Sequence, residues 1–182
     1  MQLLELMQRR RSVRRYEAEP VPEEKLTAVL QAGLLAPSSG GLRPWRLIVV
    51  RDRQSLDRLG ESRKGSIVML KQATAAVVVV GAPETSENWV EDCAAVMTQM
   101  HLMAEEQGLG SCWLQGRGKD GRDGKTLDDL FREILGYPED MTLAAVLSLG
   151  VPANHPPRRE LEGLPEDHIC WECFSSETEK TP

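Results

Sequence analysis

The feature that most constrains this chain is an uninterrupted apolar run, Ala-Ala-Val-Val-Val-Val-Gly at residues 75–81. Valine favours extended backbone, and an apolar run without alternation is typical of a strand that is covered on both faces. The run is the densest apolar stretch in the sequence, yet it is far shorter than the roughly 18 apolar residues that a membrane-spanning helix needs. We therefore expect a fold built around a buried sheet, and no membrane partner.

Further elements surround this strand in an alternating order. Pro22 followed by two glutamates predicts a helix start, because proline fits the first turn and acids favour the positive end of the helix dipole. The strongest helix prediction covers residues 91–107, because one side of it is apolar and Gly108 follows. That apolar stripe consists of Cys93, Val96, Met97, Met100, Met103 and Ala104. Helices are also expected at residues 2–8 and 126–135, and strands at 47–50, 111–114 and 143–149.

This alternation of strands and helices favours, on pattern alone, a doubly wound parallel sheet of the flavodoxin type. The glycine-rich phosphate loops of dinucleotide-binding proteins and of P-loop enzymes are not found after any of these strands. Neither of those two nucleotide-binding classes is therefore supported by the sequence.

Length and charge limit the function classes further. The chain has 182 residues, 41% of them hydrophobic, which fits one ordered domain over residues 1–175 and a polar tail at 176–182. Its net charge of −6 disfavours a general nucleic-acid binder. The N-terminal charges follow the short apolar stretch, which is the reverse of a secretory signal, so we expect a cytoplasmic protein.

A cluster of five arginines at residues 9–15 stands out in this acidic chain. If the first helix continues through it, Arg10 and Arg14 lie one turn apart, with Ser12 between them. Guanidinium groups and a hydroxyl suit a phosphate with nearly two negative charges. The alternative is a solvated basic helix face.

Three other segments could contact a ligand. Residues 37–45, Pro-Ser-Ser-Gly-Gly-Leu-Arg-Pro-Trp, let backbone approach a flat ligand closely. Residues 108–116 end a strand beside a loop, where main-chain groups are expected to be free. Residues 156–159, Pro-Pro-Arg-Arg, present two arginines on a rigid proline pair. The alternative is an ordinary interhelical loop for residues 37–45, a helix stop before a strand for 108–116, and an exposed linker for 156–159.

The cysteines and histidines predict no metal site. Cys170 and Cys173 form a C-x-x-C pair, but a structural zinc site normally needs a second such pair, and a redox pair usually opens a helix after a strand. Reduced thiols are the simpler interpretation. The three histidines have no catalytic partner at a readable spacing, and we expect His101 to be structural or exposed.

Taken together and in order, four of these motifs resemble the nitroreductase family of FMN-dependent oxidoreductases. They are Arg-Arg-Ser-Val-Arg-Arg-Tyr at residues 10–16, Ala-Pro-Ser-Ser-Gly-Gly-Leu-Arg-Pro-Trp at 36–45, Gly-Leu-Gly-Ser-Cys-Trp-Leu at 108–114, and Leu-Gly-Val-Pro followed by Pro-Arg-Arg. The resemblance covers about residues 1–170. It implies an α+β, three-layer fold with a mostly antiparallel central sheet flanked by helices, and this replaces the parallel-sheet expectation. It also implies a homodimer with two FMN sites at the subunit interface.

The resemblance assigns residues to FMN by position. The phosphate and ribityl chain would be contacted by Arg10, Arg11, Ser12 and Arg14, and the phosphate site would be completed by Arg158 and Arg159. The isoalloxazine would be covered from the partner subunit by Pro37, Ser38 and Ser39. The flavin would be flanked by Leu114, Gln115 and Gly116.

The chain departs from the family pattern at two positions of the serine segment. Gly41 stands where the family has asparagine, and Arg43 stands where it has glutamine, so two amide contacts near the flavin are lost or replaced. Arg43 could supply a cation near the flavin or the incoming substrate. Lys64 and Lys71 are candidates for a lysine near the flavin N1 and C2 carbonyl.

The implied reaction is carried by the cofactor. NADH or NADPH passes a hydride to the flavin, the oxidised nicotinamide leaves, and an electron-poor small molecule such as a nitroaromatic or quinone takes the electrons in a ping-pong cycle. No protein acid or base is required, so no catalytic side chain is assigned. Two alternatives keep the fold: an FMN-binding sensor or storage protein without turnover, and a reductive dehalogenase or flavin-cleaving relative. A nucleic-acid binder that uses the arginine cluster is a third.

Overall fold

The computed structural model describes residues 2–65 and 67–174, which form helices and strands in mixed order. The helices are α1 (Leu3–Arg9), α2 (Glu23–Leu34), α3 (Arg53–Glu61), α4 (Val68–Gln72), α5 (Trp89–Glu106) and α6 (Leu127–Leu135), and the strands are β1 (Trp45–Val50), β2 (Ala75–Gly81), β3 (Gly110–Gln115) and β4 (Thr142–Gly150). Short 3-10 turns lie at Ser39–Gly41 and Glu166–His168. The tail predicted at residues 176–182 lies outside the described residues, so that division stays a prediction.

The four strands form one sheet in the order β1-β2-β4-β3, and each neighbouring pair is antiparallel. The α+β fold with a mostly antiparallel sheet is therefore confirmed, and the doubly wound parallel sheet is wrong. The pattern misleads because β2 is buried on both faces, which is typical of parallel sheets. An antiparallel strand has the same pattern when helices cover both sides of it, so burial alone does not encode strand direction.

Helices cover both faces of the sheet and make the fold three layers deep. Alternate residues of β2 point to opposite sides, as the two-residue period of a strand requires. Ala75, Val77 and Val79 pack toward α2 and α5, while Ala76, Val78 and Val80 pack toward α3, α4 and α6. The apolar run at 75–81 thus serves two cores at once, which explains why it contains no polar residue.

Strand β1 differs from its prediction as a buried strand. Its end residues Trp45 and Val50 are buried, but the residues between them are partly or fully exposed, Val49 among them. The cause is its place at the edge of the sheet, where it has only β2 as a neighbour.

The central helix α5 matches its prediction closely. Val96, Met97 and Met100 are fully buried in the core between α5 and the sheet, so the apolar stripe is core. Helix α6 also agrees and begins with a capping box in which Thr126 and Asp129 bond each other's backbone N–H. The sequence prediction missed α3 and α4, although Asp52 caps α3 by accepting a bond from the Ser55 N–H at 2.7 Å. In the described part of the chain, no helix has both the length and the apolar character needed to span a membrane.

Candidate functional site

The N-terminal arm, residues 10–16, runs along the edge of the sheet. Helix α1 ends at Arg9, and Ser12 then forms a parallel bridge with Ser111 of β3 while the Val13 N–H bonds the Ser111 carbonyl at 2.9 Å. The helix predicted at residues 2–8 agrees with α1, and the condition that it continues through the arginines is not met. The physical reason is that β3 is an edge strand, whose unpaired backbone groups bind the arm in extended form.

Tyr16 anchors the far end of the arm. Its hydroxyl lies 2.8 Å from both the Val13 carbonyl and the Ser148 Oγ, and burial raises the pKa of its phenol well above the usual range. The Glu17 N–H also bonds the Val151 carbonyl. The arm is thus fixed between β3 and the chain that follows β4, which gives its arginines a defined position.

The C-terminal segment, residues 155–159, lies against α1 and the start of the arm. The Arg159 N–H bonds the Gln8 carbonyl at 2.9 Å, and the Gln8 amide donates to the Arg159 carbonyl at 3.1 Å. The Arg11 guanidinium donates to the Pro157 carbonyl. The structure therefore brings together two arginine segments that are almost 150 residues apart in sequence.

The two distal arginines behave differently. Arg158 is exposed and makes a two-pronged ion pair with Glu160, at 3.0 and 3.2 Å. Arg159 lies near Arg10, since its charge, after burial, is the next cause that lowers the pKa of the Arg10 guanidinium. Arg11 lowers that pKa as well. Arg10, Arg11 and Arg159 therefore form one cationic cluster, whereas Arg158 is neutralised locally.

A cavity of about 410 Å³ opens beside this cluster. Its polar lining residues include Arg10 and Ser12 of the arm and Thr98 and His101 of α5. Arg14 is exposed, is not among the lining residues, and donates to the Ser12 carbonyl at 3.4 Å. The full lining is Met7, Arg10, Ser12, Thr98, His101, Leu102 and Trp113.

Buried polar side chains of α5 hold both segments beside the cavity. His101 contacts Arg10 and Ser111. Glu105, one turn further along, lies 3.4 Å from the Arg9 Nε and 2.9 Å from the His155 Nε2. These contacts join α5, α1 and the C-terminal segment on one side of the fold.

The serine loop, residues 37–43, lies at the other end of α5. The Ser39 N–H bonds the Asp92 carboxylate at 2.8 Å, and the Asn88 amide donates to the Ser39 Oγ at 3.0 Å. The Arg43 N–H closes the loop on the Ser38 Oγ at 3.0 Å. Except for half-buried Ser38, the loop is exposed.

Both departures from the family pattern lie in left-handed backbone. Gly41 has φ 71° and Arg43 has φ 48°. Apart from glycine, asparagine tolerates this region best, so glycine at position 41 keeps the backbone conformation and removes only the amide. Arg43 is a non-glycine residue held in a strained conformation, with an exposed side chain.

Within one chain the serine loop does not reach the cavity. Its anchor Asp92 and the cavity residue His101 are nine residues apart on α5, which is about 13 Å along the helix axis. Pro37, Ser38 and Ser39 are thus far from the arginine cluster of the same chain.

The turn after β3 is more constrained than the sequence predicts. The N–H groups of Gly116 and Arg117 both bond the Ala144 carbonyl, at 3.1 and 3.0 Å, and the Gly116 carbonyl accepts from Lys119. The expectation of free main-chain groups is therefore wrong for Gly116. The cause is a bulge in β4, where Val79 pairs with Ala145 and Val80 with Leu143, so that the extra residue Ala144 meets the turn.

The side chains of this turn point in different directions. Leu114 packs toward the α3–α6 core, while exposed Gln115 accepts a bond from the Trp113 indole N–H at 3.4 Å. A Cβ on Gly116 would lie 2.5 Å from Leu143, so only glycine fits. Gln115 borders two small cavities of about 100 Å³ each, one on either face of the sheet.

Comparison with known proteins identifies the family. The Nitroreductase family model matches residues 7–80 and 64–151. A relative from Archaeoglobus fulgidus, with the provisional name NADH dehydrogenase/NAD(P)H nitroreductase, is 38% identical over 155 residues, which is 83% of this chain and 86% of that protein. This chain belongs to the nitroreductase family.

Solved nitroreductase structures share the fold over almost the whole chain. The FMN-dependent nitroreductase from Clostridium difficile R20291 has a TM-score of 0.90 and 34% identity, over 94% of this chain and 99% of that one. A provisionally named nitroreductase from Desulfovibrio desulfuricans, solved in complex with FMN, has a TM-score of 0.74 and 25% identity, over 96% and 99% of the two chains.

The nitroreductase lysine near the flavin N1 is the assignment that the structure supports least. Lys71 is paired with Glu61 at 3.2 Å, and Lys64 is exposed. Arg63 and Lys119 instead line the small cavity beside Gly116 on the α6 side of the sheet. The sequence did not single out these two cations, and only their tertiary placement indicates them.

Sequence reasoning also missed residues that define the large cavity. His101 was expected to be structural or exposed; it is buried, and it contacts a predicted ligand residue. Two further residues were not proposed for the site: Trp113, which lines the cavity, and Glu105, which pairs with Arg9 and His155. One signal was available, because His101 and Glu105 lie four residues apart on an otherwise apolar helix face and therefore share that face.

The cysteines contribute no metal centre in the described residues, where no group of three or more histidine, cysteine or acidic side chains could hold an ion. Burial raises the pKa of the Cys93 thiol to about 12 and that of Cys112 above its ordinary value, which keeps both thiols protonated and unreactive. Cys170 and Cys173 are exposed beyond the C-terminal segment and away from the cavity lining.

Proposed function

We propose that this chain is an FMN-dependent oxidoreductase that takes hydride from NADH or NADPH and reduces nitroaromatic, quinone or similar electron-poor acceptors by a ping-pong mechanism. The proposal includes a homodimer with FMN at the subunit interface. The observation that carries it is the grouping of Arg11 and Arg159 around Arg10, which itself lines a cavity.

The residues present fit the phosphate end of FMN. Burial and two neighbouring cations lower the pKa of Arg10, which means that its charge lacks the solvation that it would have in water. A bound dianionic phosphate would relieve this cost, and the Ser12 hydroxyl adds a donor to the same cavity. The volume of about 410 Å³ lies within the usual range for ligand sites.

When bound, FMN would supply the redox chemistry by accepting a hydride and passing electrons on. The part of this chain is to bind and orient. Arg10, Arg11 and Arg159 hold the phosphate, and Leu114, Gln115 and Gly116 border the flavin. The buried His101 is occupied by Arg10 and Ser111 and therefore provides no general acid or base.

The dimer is supported by the separation of the serine loop from the cavity. Pro37, Ser38 and Ser39 would cover the flavin of the partner subunit, with Gly41 and Arg43 near its edge. Exposed apolar side chains on α1 and in the last described residues give a second argument, because such surface is usually covered by a partner. They are Leu3, Leu4, Met7, Leu161, Leu164, Ile169, Trp171 and Phe174.

The test is anaerobic rapid mixing of the purified, FMN-saturated protein with NADH or NADPH. We expect the flavin absorption band near 450 nm, a property of the cofactor itself, to bleach and then to return when a nitrofuran or a quinone is added. Size-exclusion chromatography with light scattering of the same sample is expected to give twice the chain mass. Free FMN with each nicotinamide is the matched control.

Three outcomes would count against parts of the proposal. A protein that binds no FMN would remove the cofactor site. A bound flavin that stays oxidised with both donors would favour the FMN sensor or storage protein, which the loss of two amides at Gly41 and Arg43 motivates. A monomer with full activity would leave the chemistry and remove the interface site.

A further inference from the structure

Helix α5 buries three polar residues, of which Asp92 lies near its N-terminus and anchors the serine loop, while His101 and Glu105 lie toward its C-terminus among apolar neighbours. His101 is 6% exposed and Glu105 is 5% exposed, next to the fully buried Met97, Met100 and Ala104. Burying a polar side chain is unfavourable unless hydrogen bonds replace its water. The redox chemistry proposed above uses neither residue, so their retention in the core calls for another role.

Both ring nitrogens of His101 have partners. The Nε2 lies 2.8 Å from the Arg10 Nη1, and the Nδ1 lies 2.5 Å from the Ser111 Oγ. Arginine has only donors and stays protonated, so the Nε2 of His101 must accept. The Nδ1 then carries the proton and donates to Ser111. These contacts select one neutral tautomer of His101.

Burial, followed by the charge of Arg10, lowers the pKa of His101 to about 4. The ring is therefore neutral at ordinary pH, in agreement with the hydrogen-bond geometry. A neutral acceptor differs from a carboxylate in one important respect. A carboxylate would neutralise Arg10 and compete with an anionic ligand, whereas imidazole orients the guanidinium and leaves its charge available.

The surroundings of Arg10 fit this role. In the part of the chain that the structure describes, Arg10 makes no ion pair within 4.0 Å, unlike Arg9, which pairs with Glu105. Its guanidinium has five N–H donors, and the Nη1 contact with His101 uses one of them. Arg10 and His101 both line the cavity of about 410 Å³. The remaining donors of Arg10 are thus available on the cavity side.

We propose that His101 is a positioning residue that aims the Arg10 guanidinium at the phosphate of FMN. Ser111 in turn fixes the His101 ring, and because Ser111 also bonds the arm through its backbone, β3, α5 and the arm are locked together. The inference rests on the proposed function, since it assumes that Arg10 binds the FMN phosphate.

The test is a double-mutant cycle on FMN affinity, measured by quenching of flavin fluorescence on the full chain. Arg10→Met should weaken FMN binding by about 30-fold, because it removes a charged hydrogen-bond donor. His101→Phe keeps the ring volume without an acceptor and should weaken binding by about tenfold. His101→Gln, whose amide oxygen can accept from Arg10, should recover most of that loss. In the Arg10→Met background, His101→Phe should add nothing.

The outcomes separate the inference from the function beneath it. If Arg10→Met weakens FMN binding but His101→Phe does not, only the positioning role of His101 is contradicted. The same holds if the losses of FMN affinity in the two single variants add in the double variant. If Arg10→Met binds FMN like the unaltered protein, the proposed phosphate site falls and the inference falls with it. Equal losses in His101→Gln and His101→Phe would also overturn the inference, because a merely structural role predicts no rescue.

A second measurement does not depend on any variant being folded. Nitrogen-15 NMR of the unaltered protein, with label in histidine, reports which nitrogen of each ring carries the proton. We expect one histidine that is protonated at Nδ1 and unprotonated at Nε2 from neutral pH down to about pH 5. A His101 ring protonated at Nε2 could not accept from Arg10 and would overturn the proposal.

Discussion

The two ends of α5 hold very different parts of the candidate site. At the C-terminal end, buried His101 contacts Arg10 of the arm, which lines the cavity, and buried Glu105 contacts His155 of the C-terminal segment. At the N-terminal end, the serine loop is largely exposed and is tied to α5 through Asp92 and Asn88. One chain thus gathers the residues of the proposed phosphate site at one end of α5 and exposes the serine loop at the other. This difference is what a site shared between two copies requires.

The largest predicted effect concerns the C-terminal end of α5, the fixed end of the site, and is a loss of folding stability in acid. An unfolded histidine has a pKa near 6.5, whereas the pKa of folded His101 is about 4. Above pH 6.5 the ring is neutral in both states and costs nothing. As pH falls from 6.5 to 4, His101 becomes protonated in the unfolded chain but stays neutral in the folded chain. The free energy of unfolding therefore decreases by about 3 kcal/mol.

Urea unfolding at a series of pH values measures this loss. His101→Gln should remove it, so the difference between variant and parent should change across pH 6.5 to 4. His168→Gln, at an exposed position, is the matched control and should follow the parent. Parallel curves for parent and His101→Gln would show that His101 is not held neutral.

The next prediction concerns the exposed serine loop at the N-terminal end of α5. Gly41→Ala should lower the unfolding free energy by about 1 kcal/mol, because an L residue with a Cβ is disfavoured at φ 71°. Gly41→Asn should lose clearly less, since asparagine tolerates this backbone region. Thermal unfolding of both variants measures the difference, and equal losses would contradict the left-handed conformation of the loop.

Arg158 and Arg159 give a sharper comparison within the fixed end. Arg159→Met should weaken FMN binding by about fivefold, because it removes a cation next to Arg10. Arg158→Met should have a smaller effect, since Glu160 already neutralises that side chain. Fluorescence titration at one ionic strength measures both. An equal or reversed ranking would mean that Arg158 leaves Glu160 to bind the phosphate.

The last prediction joins the two ends across subunits. Arg10→Met damages the arm, and Pro37→Trp blocks the serine loop without disturbing the cavity of its own chain. If the site is shared, an unfolded and refolded equal mixture should regain about a quarter of the parental activity, because half of the dimers then carry one intact site of two. Each variant refolded alone is the control. No regain in the mixture would contradict a site shared between subunits.

Much of the site's chemistry was readable from the sequence. By residue type, the arginines, the serines and the glycine turn suit a phosphate and a flat ligand. The order of these motifs along the chain is what resembles the family. Local pattern failed where backbone contacts decide. The arm is extended rather than helical because the edge of β3 binds it, and Gly116 has no free N–H because Ala144 bulges toward it.

By itself, the sequence determined which segments are apolar, which carry cations and where helices must stop, because these properties depend on neighbouring residues alone. Periodicity alone misjudged the strand direction, which the family resemblance corrected; only the tertiary structure decided that His101 contacts Arg10 and that Arg159 rather than Arg158 lies near Arg10. Such outcomes depend on contacts between residues far apart in the chain. Periodicity and composition carry no record of those contacts, since they describe each segment without its partners.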